Sequence, residues 1–196
     1  MASWQELGPN VPTGGNWLTM KLGRVALRAM GWRIEGEIPN YPKMIVAVAP
    51  HSSNIDFALT VAVIWGLGLR ASYLAKHSLF RFPLGPLMTA LGGIAVHRHS
   101  SQGLVEQLVE RFQSETQLVL GITPEGTRSK VTAWRSGFAL IAQSANVPVL
   151  PAILNYDTKV VRFHDLVIDF SDAEGIVAAV QQAAATGAAR QRARPR

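Results

Sequence analysis

Short apolar runs and helix-periodic stretches alternate along this chain. Met44-Ile45-Val46-Ala47-Val48 is β-branched and uninterrupted, the pattern of a strand buried on both faces. Residues 117–122 and 147–154 have the same character, although Pro148 and Pro151 predict an edge or irregular position for the second. Shorter strands are predicted near residues 33–38, 71–75 and 94–96, with one or two outer strands within 160–170. Helices are predicted at 17–30, capped by Asn16, and at 57–69, behind the good cap residues Ser52, Ser53 and Asn54. Others are expected at 104–112, where Leu104, Leu108 and Phe112 share one face, and near 134–145, closed by Asn146. Ser171-Asp172-Ala173-Glu174 reads as a capping box opening an Ala-rich helix to about Thr186. Pro83, Gly85 and Pro86 leave residues 81–93 as a loop with at most a short helix.

Strands alternating with helices predict an α/β fold: a mixed, largely parallel sheet covered by helices on both faces, with an N-terminal amphipathic helix. The expected organisation is a lead-in and amphipathic helix at 1–32, one domain at 33–186, and a basic disordered tail at 187–196.

Composition narrows the partners. Hydrophobic residues make up 48% of the 196 and charged ones only 16%, so the chain is globular with a rather apolar surface. Its net charge of +6 favours anionic partners such as phosphates or acidic lipid headgroups. On the helix at 17–30, Lys21, Arg24 and Arg28 fall within about 60° of one another at 100° per residue, beside Trp17, Leu18, Leu22 and Val25. A basic stripe next to bulky apolar residues suits an anionic membrane surface, and it equally suits a packed helix with a solvated basic face. No aromatic-basic platform or reading helix supports nucleic-acid binding. The chain has no cysteine, which excludes disulfides, thiol nucleophiles and thiolate metal sites and fits a reducing compartment. No apolar run reaches the roughly 18 residues of a membrane span, and the first residues lack the features of a signal peptide. The expected location is cytoplasmic, peripheral at the inner membrane face.

Three polar clusters follow buried strands. After the strand ending near Val48 comes Pro50-His51-Ser52-Ser53-Asn54-Ile55-Asp56. On one continuous helix His51 and Asp56 would stand about 500° apart. With His51 before the cap and Asp56 in the first turn, the chain can bring the carboxylate to the imidazole. That carboxylate would fix the ring tautomer and leave the other nitrogen to take a proton from an alcohol. A loop histidine and an aspartate favoured by the helix dipole describe the same residues. After the strand at 117–122 comes Glu125-Gly126-Thr127-Arg128, in which Gly126 permits a tight turn, Thr127 offers a hydroxyl and Arg128 a fork suited to phosphate. Glu125 and Arg128 could also simply pair. Arg98 follows the strand at 94–96; it stands between His97 and His99, which lack a carboxylate partner for a metal site, so no metal is expected.

These segments resemble the motifs of the glycerol-phosphate and lysophosphatidic-acid (PlsC-like) acyltransferase family. His51-x4-Asp56 is similar to the first motif, Gly93-Ile94-Ala95-Val96-His97-Arg98 to the second, Pro124-Glu125-Gly126-Thr127-Arg128-Ser129 to the third and Val147-Pro148-Val149-Leu150-Pro151 to the fourth. Order and rough spacing agree over about residues 33–155. Thr123 and His97 depart from the residues usual at those places, and the chain lacks the long hydrophobic segments of many relatives.

The resemblance implies His51 as general base and Asp56 as its orienting partner. It implies that Arg98, Glu125, Gly126, Thr127 and Arg128 hold the acceptor's polar head, and that Pro151 lines the acyl chain. The acyl donor would be a thioester of coenzyme A or acyl carrier protein, the acceptor a lysophospholipid such as lysophosphatidic acid, with no cofactor. Three alternatives share the residues: an acyltransferase for another lipid alcohol, a hydrolase or thioesterase using the same pair, and a non-enzymatic phospholipid-binding module. No Gly-x-Ser-x-Gly elbow supports a serine hydrolase.

Overall fold

The computed structural model of the chain describes residues 4–50, 55–96, 101–125 and 134–187. Its elements, in order, are α1 (Trp17–Ala29), β1 (Arg33–Glu35), β2 (Lys43–Ala49), α2 (Ile55–Leu67), β3 (Ala71–Lys76), a 3-10 turn (His77–Phe80), α3 (Gly85–Ala90), β4 (Gly93–Val96), α4 (Ser101–Ser114), β5 (Leu118–Ile122), α5 (Gly137–Ala145), β6 (Val149–Asn155), β7 (Val160–Phe163) and α6 (Ala173–Gly187). Among the described residues these strands form one sheet in the order β1-β7-β6-β2-β5-β3-β4. The five strands from β6 to β4 are mutually parallel; β7 runs antiparallel to β6, and β1 pairs parallel with β7. This is the mixed, largely parallel sheet that the alternation predicted.

Handedness then distributes the helices. The chain steps one way along the sheet from β2 to β3 to β4 and back from β4 to β5 to β6. Right-handed crossovers therefore put α2 and α3 on one face and α4 and α5 on the other. β2 is buried on both sides, as its unbroken apolar run required. Met44 and Val46 pack with Leu59 and Val63 of α2, while Ile45 and Ala47 pack with Phe112 of α4, Phe138 of α5 and Ile176 of α6.

Local sequence explains the ends of the helices. Asn16 accepts from the amides of Leu18 and Thr19 at 3.0 and 3.1 Å, and Thr19 Oγ1 accepts from the Asn16 amide at 2.9 Å, a reciprocal cap. Asn146 closes α5 in the left-handed region at φ +53°. At α6 the cap is Asp172, not Ser171: its two carboxylate oxygens take the amides of Glu174 and Gly175 at 3.1 and 3.0 Å. The basic tail predicted for 187–196 falls outside the described residues after Gly187.

Of the two positions expected for 147–154, edge or irregular, the second holds: β6 lies between β2 and β7, and β7 stands second from the edge, inside β1. Pro151 is tolerated because the β6–β7 ladder bulges beside it. Between the pairs Ala152↔Phe163 and Val149↔Val167, residues 164–166 stand opposite only 150 and 151. His164 donates its amide to the Pro151 carbonyl at 3.0 Å, so the one backbone group that proline retains is satisfied. At the outer edge Glu35 takes Arg162 at 2.5 Å and Arg33 at 3.0 Å, and these guanidiniums hold its carboxyl below the usual range. That small contribution exists above the ordinary carboxylate range and fades as pH falls through the lowered value.

α1 docks on α2 through glycine. A Cβ on Gly23 would lie 2.7 Å from the Ala62 carbonyl oxygen and 2.9 Å from the Trp65 carbonyl carbon, so the two backbones touch there. Arg24, one residue on, turns inward from the predicted basic stripe: its Nε donates to the Gly66 carbonyl at 2.9 Å and its guanidinium lies 4.8 Å from the Trp4 ring centroid. Lys21 and Arg28 remain exposed. Gly23→Ala is therefore expected to lower the unfolding free energy in denaturant titration by roughly 1–3 kcal/mol, the range for overpacking, although alanine favours helix. An unchanged or higher midpoint would show that the helices separate freely.

Candidate functional site

The strand register brings the ends of the strands that precede the predicted clusters to one edge. Ala47 stands opposite Ile122, so Pro50 and Glu125, each three residues on, leave the sheet at the same level. Ala49 is opposite Ile153, which puts the last residues of β6 beside them. Lys76 pairs with Val96, and Tyr73 with Gly121, so β3 and β4 end level with Pro124. All five parallel strands thus present their carboxyl ends together, the usual place for chemistry in an α/β sheet.

Asp56 occupies the first turn of α2, the helix that follows β2. It is 1% exposed, the one buried charged residue among those described. A carboxylate in such a place requires hydrogen-bond donors. Tyr156 supplies one, its hydroxyl donating to Asp56 Oδ1 at 2.5 Å. Further along α2, Thr60 Oγ1 donates to the Asp56 carbonyl at 2.7 Å.

Tyr156 was not among the predicted site residues. It follows Asn155, the last residue of β6, and so reaches the same edge as the other clusters. Three contacts hold its turn in place. The Trp32 ring meets the Tyr156 ring edge-on at 5.4 Å and 89°. Asn155 Oδ1 accepts from the Thr158 amide at 3.0 Å, and Lys159 Nζ donates to the Met30 carbonyl at 2.9 Å. The signal in the sequence was position alone: a polar group immediately after a buried strand, as at His51 and Glu125.

Glu125 is partly buried just beyond β5, next to the buried Pro124. Arg135 donates its amide to the Pro124 carbonyl at 2.9 Å, which joins the described residues on either side of 126–133. Pro151 lies within β6, opposite Ala47, and not at the carboxyl edge. Strand alternation puts it on the same side as Val149, which packs with the helices opposite α2, so Asp56 and Pro151 are not brought together. His51, Arg98, Gly126, Thr127 and Arg128 lie outside the described residues.

The wall of this edge beside α2 is aromatic. Phe57 packs edge-on against Tyr73 of β3, centroids 5.2 Å apart, and burial pushes the Tyr73 phenol above its ordinary pKa. No helix among the described residues is long and apolar enough to cross a membrane.

The arrangement has relatives. A search of curated proteins found no match. Among solved structures, the chain is similar to the crystal structure of PlsC, the 1-acyl-sn-glycerophosphate (LPA) acyltransferase from Thermotoga maritima. The two share 21% identity with a TM-score of 0.64, over 87% of this chain and 76% of the other, which establishes a common fold. The sequence model of the Acyltransferase family matches residues 33–155, from β1 to the end of β6 and so more than half of the chain. With its parallel strand ends gathered about a buried aspartate, this chain belongs to the Acyltransferase family.

Proposed function

We propose that the chain transfers a fatty acyl group from a thioester of coenzyme A or acyl carrier protein to the hydroxyl of a lysophospholipid, of which lysophosphatidic acid is the representative. The observation that carries this reading is the burial of Asp56 in the first turn of α2, five residues after His51 and held by the Tyr156 hydroxyl. An aspartate held by Tyr156 at its carboxylate and by Thr60 at its carbonyl offers the imidazole of His51 a fixed partner. His51 then takes the proton of the acceptor hydroxyl as its oxygen attacks the thioester carbonyl, and the carbon–sulfur bond breaks to release the thiol. Asp56 stabilises the imidazolium formed in between. A thioester is already activated, so a base and an oriented alcohol suffice without a nucleophile from the protein. Arg98 and the segment Glu125-Gly126-Thr127-Arg128, which follow β4 and β5 in the chain, take the acceptor's phosphate.

The same reading places the chain at an anionic bilayer, because its acceptor is a lipid and Lys21 and Arg28 remain exposed on α1 beside Trp17, which is 72% exposed. Support comes from the charge, the exposed apolar face and the family together.

Four outcomes follow. With acyl-coenzyme A and lysophosphatidic acid, Asp56→Asn is expected to fold and to lose about 10²–10⁴-fold in kcat, the usual worth of a general base held in place. Tyr156→Phe should lower kcat less and leave the acceptor KM nearly unchanged; wild-type turnover in both variants would contradict the dyad. Arg128→Ala should raise the acceptor KM by about 10- to 100-fold, the worth of charge-assisted hydrogen bonds, and an effect confined to the acyl donor would reverse that role. In vesicle co-sedimentation, Lys21→Glu with Arg28→Glu should weaken binding to anionic vesicles more than about tenfold, at about 1 kcal/mol per charge. Salt should mimic the loss, and unchanged binding would place attachment elsewhere.

A further inference from the structure

The charges are divided between the two faces of the sheet. Residues 7–34 and 57–105 contain no aspartate or glutamate, and they include α1, α3 and all of α2 beyond Asp56. The opposite face carries Glu106 and Glu110 on α4, Glu115 just after it, and Asp172 and Glu174 at the start of α6. α3 belongs to the acid-free side. Tyr73 meets Phe57 of α2 with its ring and directs its hydroxyl to Met88 of α3, whereas Leu74, the next residue, packs with the α4–α6 cluster.

Between β3 and α3 the chain exposes what a soluble surface normally covers. Phe82 is 92% exposed, and Leu79, Leu84 and Leu87 are about half-exposed around it. Lys76 and Arg81 are exposed within the same few residues. This segment leaves the sheet at the carboxyl end of β3, level with the end of β4, at the edge where Asp56 sits. Ile55, in the first turn of α2 beside Asp56 in the chain, is 66% exposed as well. Exposed apolar side chains close along the chain, with the cations Lys76 and Arg81 among them, match the boundary between phosphate headgroups and acyl chains of an anionic bilayer.

We propose that residues 76–87 form a second bilayer contact, separate from α1. Phe82 and its neighbouring leucines enter the headgroup–acyl boundary, and Lys76 and Arg81 meet the lipid phosphates. The inference rests on the reading that the chain works at a membrane, and it goes further in saying how. With α1 and this segment both on the lipid side, the carboxyl edge of the sheet meets the bilayer, so an acceptor passes to Asp56's neighbourhood without crossing water.

The absence of cysteine makes the test direct, since Phe82→Cys accepts a single environment-sensitive fluorophore. Leu140→Cys, exposed on α5 of the opposite face, serves as the reference. With phosphatidylcholine vesicles containing phosphatidylglycerol, the label at 82 is expected to shift to the blue and to be quenched by chain-brominated lipid, the label at 140 to do neither. A vesicle-bound protein whose label at 82 stays aqueous would overturn this contact while leaving attachment through α1. No vesicle binding at all would overturn both it and the membrane reading beneath it. Phe82→Asp, at so exposed a position, should fold normally and bind these vesicles on the order of tenfold more weakly, as expected for one lost aromatic side chain. Its turnover should fall on a vesicle-borne acceptor and hold on a dispersed short-chain one; an equal fall on both would give the segment a role in the site instead of a contact with lipid.

Discussion

Burying a carboxylate is costly unless donors meet it, and that requirement organises this molecule around Asp56. The residue is placed by the first turn of α2, the helix that follows β2. β2 in turn is held at the centre by parallel pairing with β5 on one side and β6 on the other. β6 then carries the chain to Tyr156, whose hydroxyl reaches Asp56 Oδ1. Trp32 steadies that ring from the junction of α1 and β1, so elements a hundred or more residues apart converge on one oxygen. A rigid aspartate beside the chain position of His51 is what a proton-accepting imidazole requires.

Much of this was legible before the structure, and the reasons are local. A strand buried on both faces must be continuously apolar, so β2 and β5 announced themselves, and the N-cap of α1 and the C-cap of α5 are set by single side chains. What could not be read depended on distant partners. Pro151 carries the usual mark of an edge strand, and only the pairing with residues 163–167 shows the bulge that admits it. Arg24 fits a basic stripe on a helical wheel, yet Trp4 and the Gly66 carbonyl draw it inward, and neither is near it in sequence. At α6 the local signal was sound and the assignment one residue out, because a carboxylate can take two amides where a serine takes one. Tyr156 has no motif of its own, and its partner is far along the chain.

The division between the two faces has a functional logic. Glutamates and aspartates gather on the α4–α6 side, whereas the α1–α3 side joins cations to exposed aromatic and aliphatic groups. A lipid acceptor keeps its tails in the bilayer, so an enzyme that acts on it must bring its base to the headgroup. Right-handed crossovers place α1's partner helix α2 and the helix α3 on one face, and the strand ends open beside them. The topology that gathers the site also turns it towards the surface where the proposed acceptor resides.

The account depends most on His51 acting as base in an acceptor-dependent acyl transfer. Thiol release from long-chain acyl-coenzyme A, with and without lysophosphatidic acid, measures this directly when wild type and His51→Ala are compared. The expected result is release that requires the acceptor and disappears in His51→Ala, with acylated lipid formed in equal amount. Release at the wild-type rate in His51→Ala, or release indifferent to acceptor, would contradict the central claim.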